Sequence, residues 1–418
     1  MIRTIPFSGD PFTIFRKFYG RPGLFFLDSS QPGAQARYSY IGFSPFKTVT
    51  GGSFDVLRRA FQKYHKPRRG EMLCGGAVGY VGYEGGFHFG FYDQVIAFDR
   101  QRKDLIINAP NKSQVEDIRA VLADQAPRIP RVSPVKRRIE FKSNFNKAGY
   151  ISAVRKALWH IQRGDIYQIN LSRILQLSLD WEKHADAAAM YSALRQHSPS
   201  PFAAYFDDSR QIILSSSPER FLKFSGGIAQ VKPMKGTRPR GRSAAQDRRL
   251  RHELLHSPKE IAELLMVTDL ERNDLGRVCE YGSVKVKARR SIEAYKNVFQ
   301  ATATIEGKLH RGKDQFDLLQ AVFPSGSVTG CPKIEAMKII AQLEKAPRGL
   351  YTGALGYIDF GGHMDFSVLI RSIFLKPGKI TFHAGGGIVA DSDPQAEYDE
   401  TGVKAAAMQA ALNEVLHG

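Results

Sequence analysis

The stretch GALGYIDFGGHMDFSVLIRSIFLKPGKITFHAGGG, residues 353–387, decides the fold class of this chain. Its apolar and β-branched residues fall into three runs, and the turn signals at 360–363 and Pro377-Gly378 separate them. The runs predict three strands at 353–359, 364–375 and 379–384. Because short turns join strands in antiparallel order, the stretch predicts an antiparallel meander.

Outward from this stretch, helices and further strands are mixed without strict alternation. Helical patterns cover 147–163 and 332–343, and a last helix begins at Asp393-Pro394 and runs toward Leu416. Another helix begins at Pro258, with Ser257 as the expected N-cap and Glu260 placed for a capping box. Further strands are expected at 24–27, 38–42, 75–83, 166–177, 211–217, 220–225 and 228–233. This mixture favours an α+β fold with large, mainly antiparallel sheets.

A proline-rich basic segment divides the chain near residues 127–141. Pro127, Pro130 and Pro134 interrupt every periodic pattern there. We therefore predict an N-terminal region at 1–126, a linker at 127–141 and a catalytic region at 142–418.

Composition excludes several classes of protein. With 43% hydrophobic and 24% charged residues, the chain can bury a large core, which excludes disordered and fibrous classes. Three scattered cysteines do not make a disulfide framework or a zinc site. No apolar run approaches the length of about 18 residues that a membrane span needs, and no signal peptide begins the chain. A cytoplasmic protein with no membrane association is the simplest expectation.

The formal net charge of +19 raises the hypothesis of nucleic-acid binding. The densest basic cluster lies at residues 238–251, without the interleaved aromatic side chains that stack on single strands. No helix-turn-helix or zinc-finger motif is present. Attraction of an anionic substrate explains the charge more simply, so no nucleic-acid partner is predicted.

Two pairs of glutamates have the spacing of a helix face. Glu260 and Glu263 are three residues apart, and so are Glu397 and Glu400. Residues at i and i+3 share a face, so two such helices could form the all-oxygen site that Mg²⁺ prefers. Such pairs are also common on solvated helix surfaces, and spacing alone does not decide between the two interpretations.

Three other features could take part in chemistry. Gly385, Gly386 and Gly387 follow a strand, where bare backbone N–H groups can approach an anion, although a flexible turn is the more ordinary interpretation. Lys235, beside a glycine at a strand end, could be a nucleophile if its ammonium loses a proton. Glu219, after Ser-Ser-Ser-Pro, could donate a proton if it is partly buried.

Nine motifs occur in order along the chain: FLDS (26–29), RYSYIG (37–42), GYVGYE (79–84), GDIYQINL (164–171), SSPERF (216–221), DLERNDLGRV (269–278), GSVTGCPK (326–333), RGLYTG (348–353) and AGGGIVADSDP (384–394). Taken together, they resemble the chorismate-utilising enzymes over residues 24–410, and within them the aminodeoxychorismate synthase branch. The resemblance implies two large facing, mainly antiparallel sheets with outer helices and an active site between the sheets.

The resemblance also assigns expected roles to residues. It implies Mg²⁺ bound by Glu263 and Glu400, with Glu260 and Glu397 close by. Glu219 falls at the position of the acid that protonates the departing C4 hydroxyl of chorismate. The expected substrate-binding groups are Thr237, Tyr351, Arg371, Gly385, Gly386, Gly387 and Lys404.

Two positions separate the reaction types in this family. Isochorismate and salicylate synthases carry a water-activating lysine where this sequence has Gln168, and an amide cannot act as that base. Anthranilate synthases resemble the chain closely but have alanine where Lys235 stands. In the aminodeoxychorismate branch, this lysine adds to ring carbon C2 and ammonia then displaces it by attack at C4.

The resemblance therefore implies a magnesium-dependent transferase that makes 4-amino-4-deoxychorismate for the p-aminobenzoate and folate route. A separate glutamine amidotransferase subunit is the expected partner and source of ammonia. Anthranilate synthase component I is the alternative within the family, and a basic nucleic-acid-binding protein on an inactive scaffold is the alternative from another class. The chain departs from the family pattern at Gln300, where a histidine is usual.

Overall fold

The structure is a computed structural model that describes residues 1–31, 37–67, 70–127, 139–179, 183–296 and 298–417. In chain order, the strands are β1 (Ile2–Pro6), β2 (Phe25–Asp28), β3 (Tyr38–Gly42), β4 (Lys47–Gly51), β5 (Gly76–Val81), β6 (Phe87–Tyr92), β7 (Val95–Asp99), β8 (Asp104–Asn108), β9 (Lys142–Ser143), β10 (Gln168–Ser178), β11 (Phe202–Asp207), β12 (Ile212–Ser217), β13 (Arg220–Ser225), β14 (Ile228–Val231), β15 (Met234–Pro239), β16 (Lys285–Ala294), β17 (Val298–Lys308), β18 (Gly330–Cys331), β19 (Ala354–Asp359), β20 (Met364–Val368), β21 (Ser372–Lys376) and β22 (Lys379–Ile388). The helices are α1 (Pro11–Phe15), α2 (Phe54–Gln62), α3 (Lys112–Ala123), α4 (Lys147–Gln162), α5 (Lys183–His197), α6 (Ala244–His256), α7 (Pro258–Gly276), α8 (Gln315–Val322), α9 (Lys333–Glu344) and α10 (Pro394–His417), with short 3-10 helices at Arg16–Phe18 and Gly326–Val328.

The strands form two large sheets. Sheet A has the strand order β1-β8-β7-β3-β2-β11-β12-β21-β22-β10-β18, with β9 beside β10. Sheet B has the order β15-β17-β14-β13-β20-β19-β5-β6-β4, with β16 beside β17. Each pairing within these two sheets is antiparallel. The predicted α+β fold with large antiparallel sheets is confirmed.

The stretch 353–387 crosses from one sheet to the other instead of forming a single meander. The prediction of one strand at 364–375 is wrong, because β20 and β21 are separate strands, and Arg371 between them adopts the left-handed conformation at φ 51°. β20 pairs with β13 in sheet B, whereas β21 pairs with β12 in sheet A. Since β12 and β13 make the same crossing at Pro218-Glu219, a two-stranded ribbon joins the sheets.

Buried apolar side chains arrange these elements in four layers. The cluster between the sheets combines side chains of both, including Phe25, Phe206 and Phe374 from sheet A and Tyr80 and Tyr357 from sheet B. A second cluster packs α5 and α10 on the outer face of sheet A, and a third packs α2, α7 and α8 on the outer face of sheet B. Each large apolar side chain buried in this way contributes about 1.5–3 kcal/mol.

The regions before and after the predicted linker share both sheets. Strands β1, β2, β3, β7 and β8 lie in sheet A, and β4, β5 and β6 lie in sheet B. Most of the linker predicted at 127–141 lies outside the described residues, and the predicted division stays a prediction. Within the described part of the chain, no helix has the length and apolar character needed to cross a membrane.

Both predicted helix starts, at Pro258 and Pro394, are confirmed, but their capping contacts differ. At α10, the Asp393 Oδ1 accepts the Ala396 N–H at 2.7 Å, as expected of an N-cap. At α7, Ser257 precedes the helix, but its side chain makes no capping hydrogen bond. The predicted capping box is therefore wrong, because the Glu260 carboxylate forms an ion pair with Arg238 at 2.8 Å instead.

Candidate active site

The crossing ribbon brings Glu219 and Arg371 together. The Val368 N–H donates to the Glu219 carbonyl at 3.1 Å, and the Ser216 N–H donates to the Arg371 carbonyl at 3.1 Å. Neither residue continues a regular strand, because both lie where the chain leaves one sheet for the other. The ribbon thus presents an acid and a guanidinium at the junction between the sheets.

Lys235 lies opposite this junction on β15, at an irregularity in the pairing of β15 with β17 between Met234 and Thr237. Its Nζ donates to the Ser327 carbonyl at 3.2 Å. Burial lowers the pKa of the Lys235 ammonium, although the nearby Glu263 carboxylate acts in the opposite direction. The arrangement favours a larger fraction of neutral, nucleophilic amine than a surface lysine has.

Of the three glycines in sheet A, Gly387 faces Lys235. The flexible turn considered for them is wrong, because all three lie within β22 and pair with Asn170, Leu171 and Ser172 of β10. A Cβ on Gly387 would lie 2.6 Å from Gln168 Nε2 and 3.2 Å from Lys235 Nζ. The absence of side chains on this strand therefore leaves room for Lys235 and a substrate between the sheets.

Glu219 is 4% exposed and accepts a hydrogen bond from the Ser327 hydroxyl at 2.6 Å. Burial raises the pKa of Glu219 to about 7, while the Ser327 hydrogen bond and the Lys235 ammonium oppose the increase. A carboxyl group with such a pKa keeps a large protonated fraction at neutral pH. Glu219 is thus suited to general acid catalysis.

Glutamates of α7 and α10 border the same space. A Cβ on Gly386 would lie 3.0 Å from Glu397 Oε2 and 4.0 Å from Glu400 Oε1, which places α10 against the glycine strand. Burial raises the pKa of Glu263 and of Glu397. Burial acts to raise the pKa of Glu400 as well, but the Lys404 ammonium outweighs burial and holds the pKa of Glu400 below its usual range.

The carboxylate oxygens of α7 and α10 are the candidate ligands for a divalent cation. Among the described residues, no three or more His, Cys, Asp or Glu side chains form a cluster ready to hold a metal. Glu260 Oε2 is nevertheless buried without a hydrogen-bond partner in the structure. Glu260 and Glu400 each raise the pKa of Glu263 through their charge, so the carboxylates repel one another. Because Mg²⁺ uses one or two protein carboxylates plus waters and substrate oxygens, this donor set fits it.

The other predicted substrate-binding residues differ in burial and in their partners. Burial lowers the pKa of the Arg371 guanidinium, and no carboxylate among the described residues pairs with it. The Tyr351 ring is buried and stacks on the buried His383 at 4.7 Å between centroids. Lys404 Nζ donates to the Gly385 carbonyl at 2.9 Å and pairs with Glu400 at 2.6 Å. Thr237, by contrast, is exposed.

Residue patterns alone missed three polar groups behind Glu219. Ser327 and Ser325 connect Glu219 to the third group, the buried Glu271. Gln300, already noted for its departure from the family pattern, is buried, and its Oε1 has no partner in the structure. The serines belong to or adjoin the glycine-containing motif at 326–333, and Glu271 lies within the motif at 269–278. These two motifs contained the signal, but only the fold brings them together.

Comparisons with known proteins agree on one family. A family model described as chorismate binding enzyme matches residues 30–410. The chain is 34% identical to aminodeoxychorismate synthase component 1 of Bacillus subtilis (strain 168), over 98% of this chain and 96% of that protein. It is 36% identical to anthranilate synthase component 1 of Thermus thermophilus, over 96% of this chain and 95% of that protein.

A solved structure shows the same fold. The chain superposes on anthranilate synthase component I from Streptococcus pneumoniae TIGR4 with a TM-score of 0.78 and 28% sequence identity. The superposition covers 90% of this chain and 93% of that chain. The facing sheets and outer helices are therefore those of an anthranilate synthase component I-like fold.

Proposed function

The chain belongs to the chorismate-binding enzymes, and from this premise we propose that it is component I of an aminodeoxychorismate synthase. The proposed reaction converts chorismate and ammonia into 4-amino-4-deoxychorismate and water. The observation that carries the proposal is Lys235, whose amine lies between the sheets beside Gly387 and within hydrogen-bond distance of Ser327. A branch with alanine at this position would lack any nucleophile there.

In the first step, the neutral amine of Lys235 adds to ring carbon C2 of chorismate. The electron pair shifts through the ring, and the bond between C4 and its hydroxyl oxygen breaks. Glu219 donates a proton to that oxygen, so the hydroxyl departs as water. The raised pKa of Glu219 supports this role, since the acid must be protonated when the step begins.

In the second step, ammonia attacks C4, the ring double bonds shift back, and the electron pair of the bond between C2 and the Lys235 nitrogen moves onto that nitrogen. That carbon–nitrogen bond breaks and releases the amine. The new nitrogen loses one proton, which balances the proton that Glu219 gave to the leaving water. Two successive displacements thus place nitrogen at C4 instead of C2.

Cationic and metal-binding groups would hold the substrate in the proposed reaction. Arg371, which has no carboxylate partner among the described residues, is suited to clamp a carboxylate of chorismate with two hydrogen bonds. Glu263 and Glu400, with Glu260 and Glu397 beside them, would hold Mg²⁺. The cation would supply Lewis-acid stabilisation at the ring carboxylate. Lys404 would contribute positive charge from α10.

Ammonia would come from a glutamine amidotransferase subunit on a separate chain. Support for this partner comes from the relatives, which carry the name component 1 of their synthases. Free ammonium should replace the partner in vitro if the synthase chemistry resides in this chain.

The decisive experiment is product analysis. The chain is incubated with chorismate, Mg²⁺ and an ammonium salt, and the products are separated before and after addition of aminodeoxychorismate lyase. We expect p-aminobenzoate only after the lyase is added. Anthranilate formed directly, with no p-aminobenzoate, would overturn the proposal.

Anthranilate synthase component I is the second candidate. The observation that favours it is the 36% identity to the Thermus thermophilus protein, which slightly exceeds the 34% identity to the Bacillus subtilis protein. The same product analysis decides between the two candidates, because the ortho and para products are chemically distinct.

A further inference from the structure

A series of hydrogen bonds leads from Glu219 away from the space beside Lys235. The Ser327 hydroxyl donates to Glu219 Oε1 at 2.6 Å, and the Ser325 and Ser327 hydroxyl oxygens lie 3.0 Å apart. Ser325 is in turn 3.1 Å from Glu271 Oε1. All four side chains are buried, with 5% exposure or less. These hydrogen bonds therefore join two buried carboxyl groups through two hydroxyls that can each accept and donate a proton.

The four residues come from three parts of the fold. Glu219 lies on the crossing ribbon, the serines lie at the short 3-10 helix Gly326–Val328, and Glu271 lies on the inner face of α7. Their alignment depends on the packing of α7 and the 3-10 helix behind the ribbon. No local sequence feature brings them together.

Glu271 does not need to be titratable in order to hold the segment 325–327 in place. Glu271 Oε1 accepts the Gly326 N–H at 2.8 Å, a contact that a glutamine oxygen could make equally well. Its Oε2 is buried without a hydrogen-bond partner in the structure. A buried carboxyl group that leaves one oxygen unpartnered is costly unless it is protonated or functional.

The carboxyl groups at both ends of this series of hydrogen bonds gain and lose protons near neutral pH. Burial raises the pKa of Glu271 to about 7, and it raises the pKa of Glu219 to about 7 as well. Transfer of a proton between two groups of matched pKa has little free-energy cost. The charged and titratable groups that face this series of hydrogen bonds are Lys235 and Tyr295 near Glu219, and Lys333 and Asp274 near Glu271.

We propose that Glu271 is a positioning residue that resupplies Glu219 with a proton through the hydroxyls of Ser325 and Ser327. This inference rests on the proposed role of Glu219 as the acid for the leaving hydroxyl. It holds for either amination product, because the C4 hydroxyl departs in both reactions.

The proton balance of the relay is complete. When Glu219 has protonated the leaving hydroxyl, Ser327 passes its hydroxyl proton to Glu219 Oε1 and takes one from Ser325. Ser325 takes the proton of Glu271 Oε1, so both hydroxyls end unchanged and one proton has moved from Glu271 to Glu219. Glu271 then regains its proton from solvent. Its charged neighbours Asp274 and Lys333 line the groove between α7 and α9, although Glu271 itself does not.

The experiment measures kcat, KM for chorismate and the pH profile of kcat for Glu271→Gln, with ammonia supplied as free ammonium. We expect kcat to fall about 10-fold, less than the 10²- to 10⁴-fold typical of losing a general acid itself, with KM unchanged. Because the Glu271 charge raises the pKa of Glu219, the alkaline limb of the profile should move to lower pH in this variant. A purely structural loss would not move that limb.

Serine variants make the test independent of how well Glu271→Gln folds. Ser325→Ala should lower kcat as much as Glu271→Gln, Ser325→Thr should restore most of it, and the double variant should be no slower than either single one. Ser39→Ala is the matched control. Ser39 is a fully buried serine whose hydroxyl accepts the Ser29 N–H, and it takes no part in the hydrogen bonds between Glu219 and Glu271.

Two different failures can be distinguished. If the unmodified protein does not aminate chorismate, the proposed function is wrong. If the unmodified protein is active but Glu271→Gln and Ser325→Ala both keep kcat within twofold, the relay is wrong and the proposed function stands, even where the lost charge at Glu271 moves the alkaline limb.

Discussion

At the scale of single residues, the covalent role of Lys235 gives the sharpest prediction. Lys235→Ala should lower formation of 4-amino-4-deoxychorismate by more than about 100-fold, because no other amine takes the place of the lost nucleophile. The groups expected to hold the carboxylates of chorismate, such as Arg371, are unchanged in this variant, so chorismate should still bind with a similar Kd. Product formation by chromatography and chorismate binding by calorimetry test the two parts separately.

A nearby lysine supplies the control for that substitution. Lys232 lies three residues earlier and is ion-paired with Glu293 instead of facing the glycine strand. Lys232→Ala should retain most of the activity. Unchanged formation of the para product by Lys235→Ala would show that the lysine forms no covalent bond with the ring.

The raised pKa of Glu219 predicts the pH dependence of the reaction. The acid can donate only while it is protonated, so kcat should fall as pH rises through about 7. Glu219→Gln should lose about 10²- to 10⁴-fold in kcat, since an amide cannot supply the proton. The profile must be measured at a constant concentration of free NH₃, because ammonium itself titrates at higher pH. A kcat that rises or stays flat between pH 6 and pH 9 under this condition would contradict the assignment.

At the scale of elements, the glycines of β22 act by leaving space and not by bending. Gly387 does not have a positive φ, so alanine there introduces no backbone strain. Its Cβ would instead meet Gln168 Nε2 at 2.6 Å and Lys235 Nζ at 3.2 Å. Gly387→Ala should therefore lower kcat more than about 10-fold through misplaced Lys235, while the melting temperature falls only slightly.

Gly402 provides the matched control for this substitution. It lies in α10, where a Cβ would meet no atom within 4 Å. Gly402→Ala should preserve activity and raise stability by about 0.5–1 kcal/mol, because alanine is the better helix former. Equal activity of the two alanine variants would show that β22 does not shape the cavity around Lys235.

The elements also show what could be predicted from the sequence and why the rest could not. Turn residues and apolar runs predicted most strands, and Asp393 correctly marked the start of α10, because these signals act within a few residues. The split of 364–375 escaped prediction, since pairing with β12 and β13, more than 140 residues away, decides where the strand changes sheets. The capping box expected at Ser257 and Glu260 failed for a similar reason, because Arg238, distant in sequence, holds the Glu260 carboxylate.

The candidate site, like the fold, could be predicted only in part from the sequence. Lys235, Glu219 and the glutamate pairs stood out by residue type and spacing, and the motif resemblance supplied their expected roles. The relay through Ser327 and Ser325 to Glu271 depends on α7 packing behind the ribbon, more than 40 residues from the serines along the chain. Contacts at such separation leave no mark on local periodicity.

At the scale of the whole molecule, the two sheets make the N-terminal and C-terminal regions one structural body. β11 pairs with β2 over Phe25–Asp28, and β19 pairs with β5 along its full length. Without residues 1–127, both β11 and β19 would expose an unpaired edge in what is now the middle of a sheet. The buried aromatic side chains of β2 and β5 would also be lost from the cluster between the sheets.

We therefore predict that residues 142–418 produced alone will not form the native structure, although they contain every candidate catalytic and metal-binding residue. Near-ultraviolet circular dichroism should show no fixed aromatic packing, and the fragment should bind a hydrophobic dye or aggregate. Production of residues 1–127 as a second chain in the same cells should restore a folded, active complex, because the missing strands can pair across the break. A fragment that unfolds cooperatively by itself and aminates chorismate would show instead that sheets A and B are complete without their N-terminal strands.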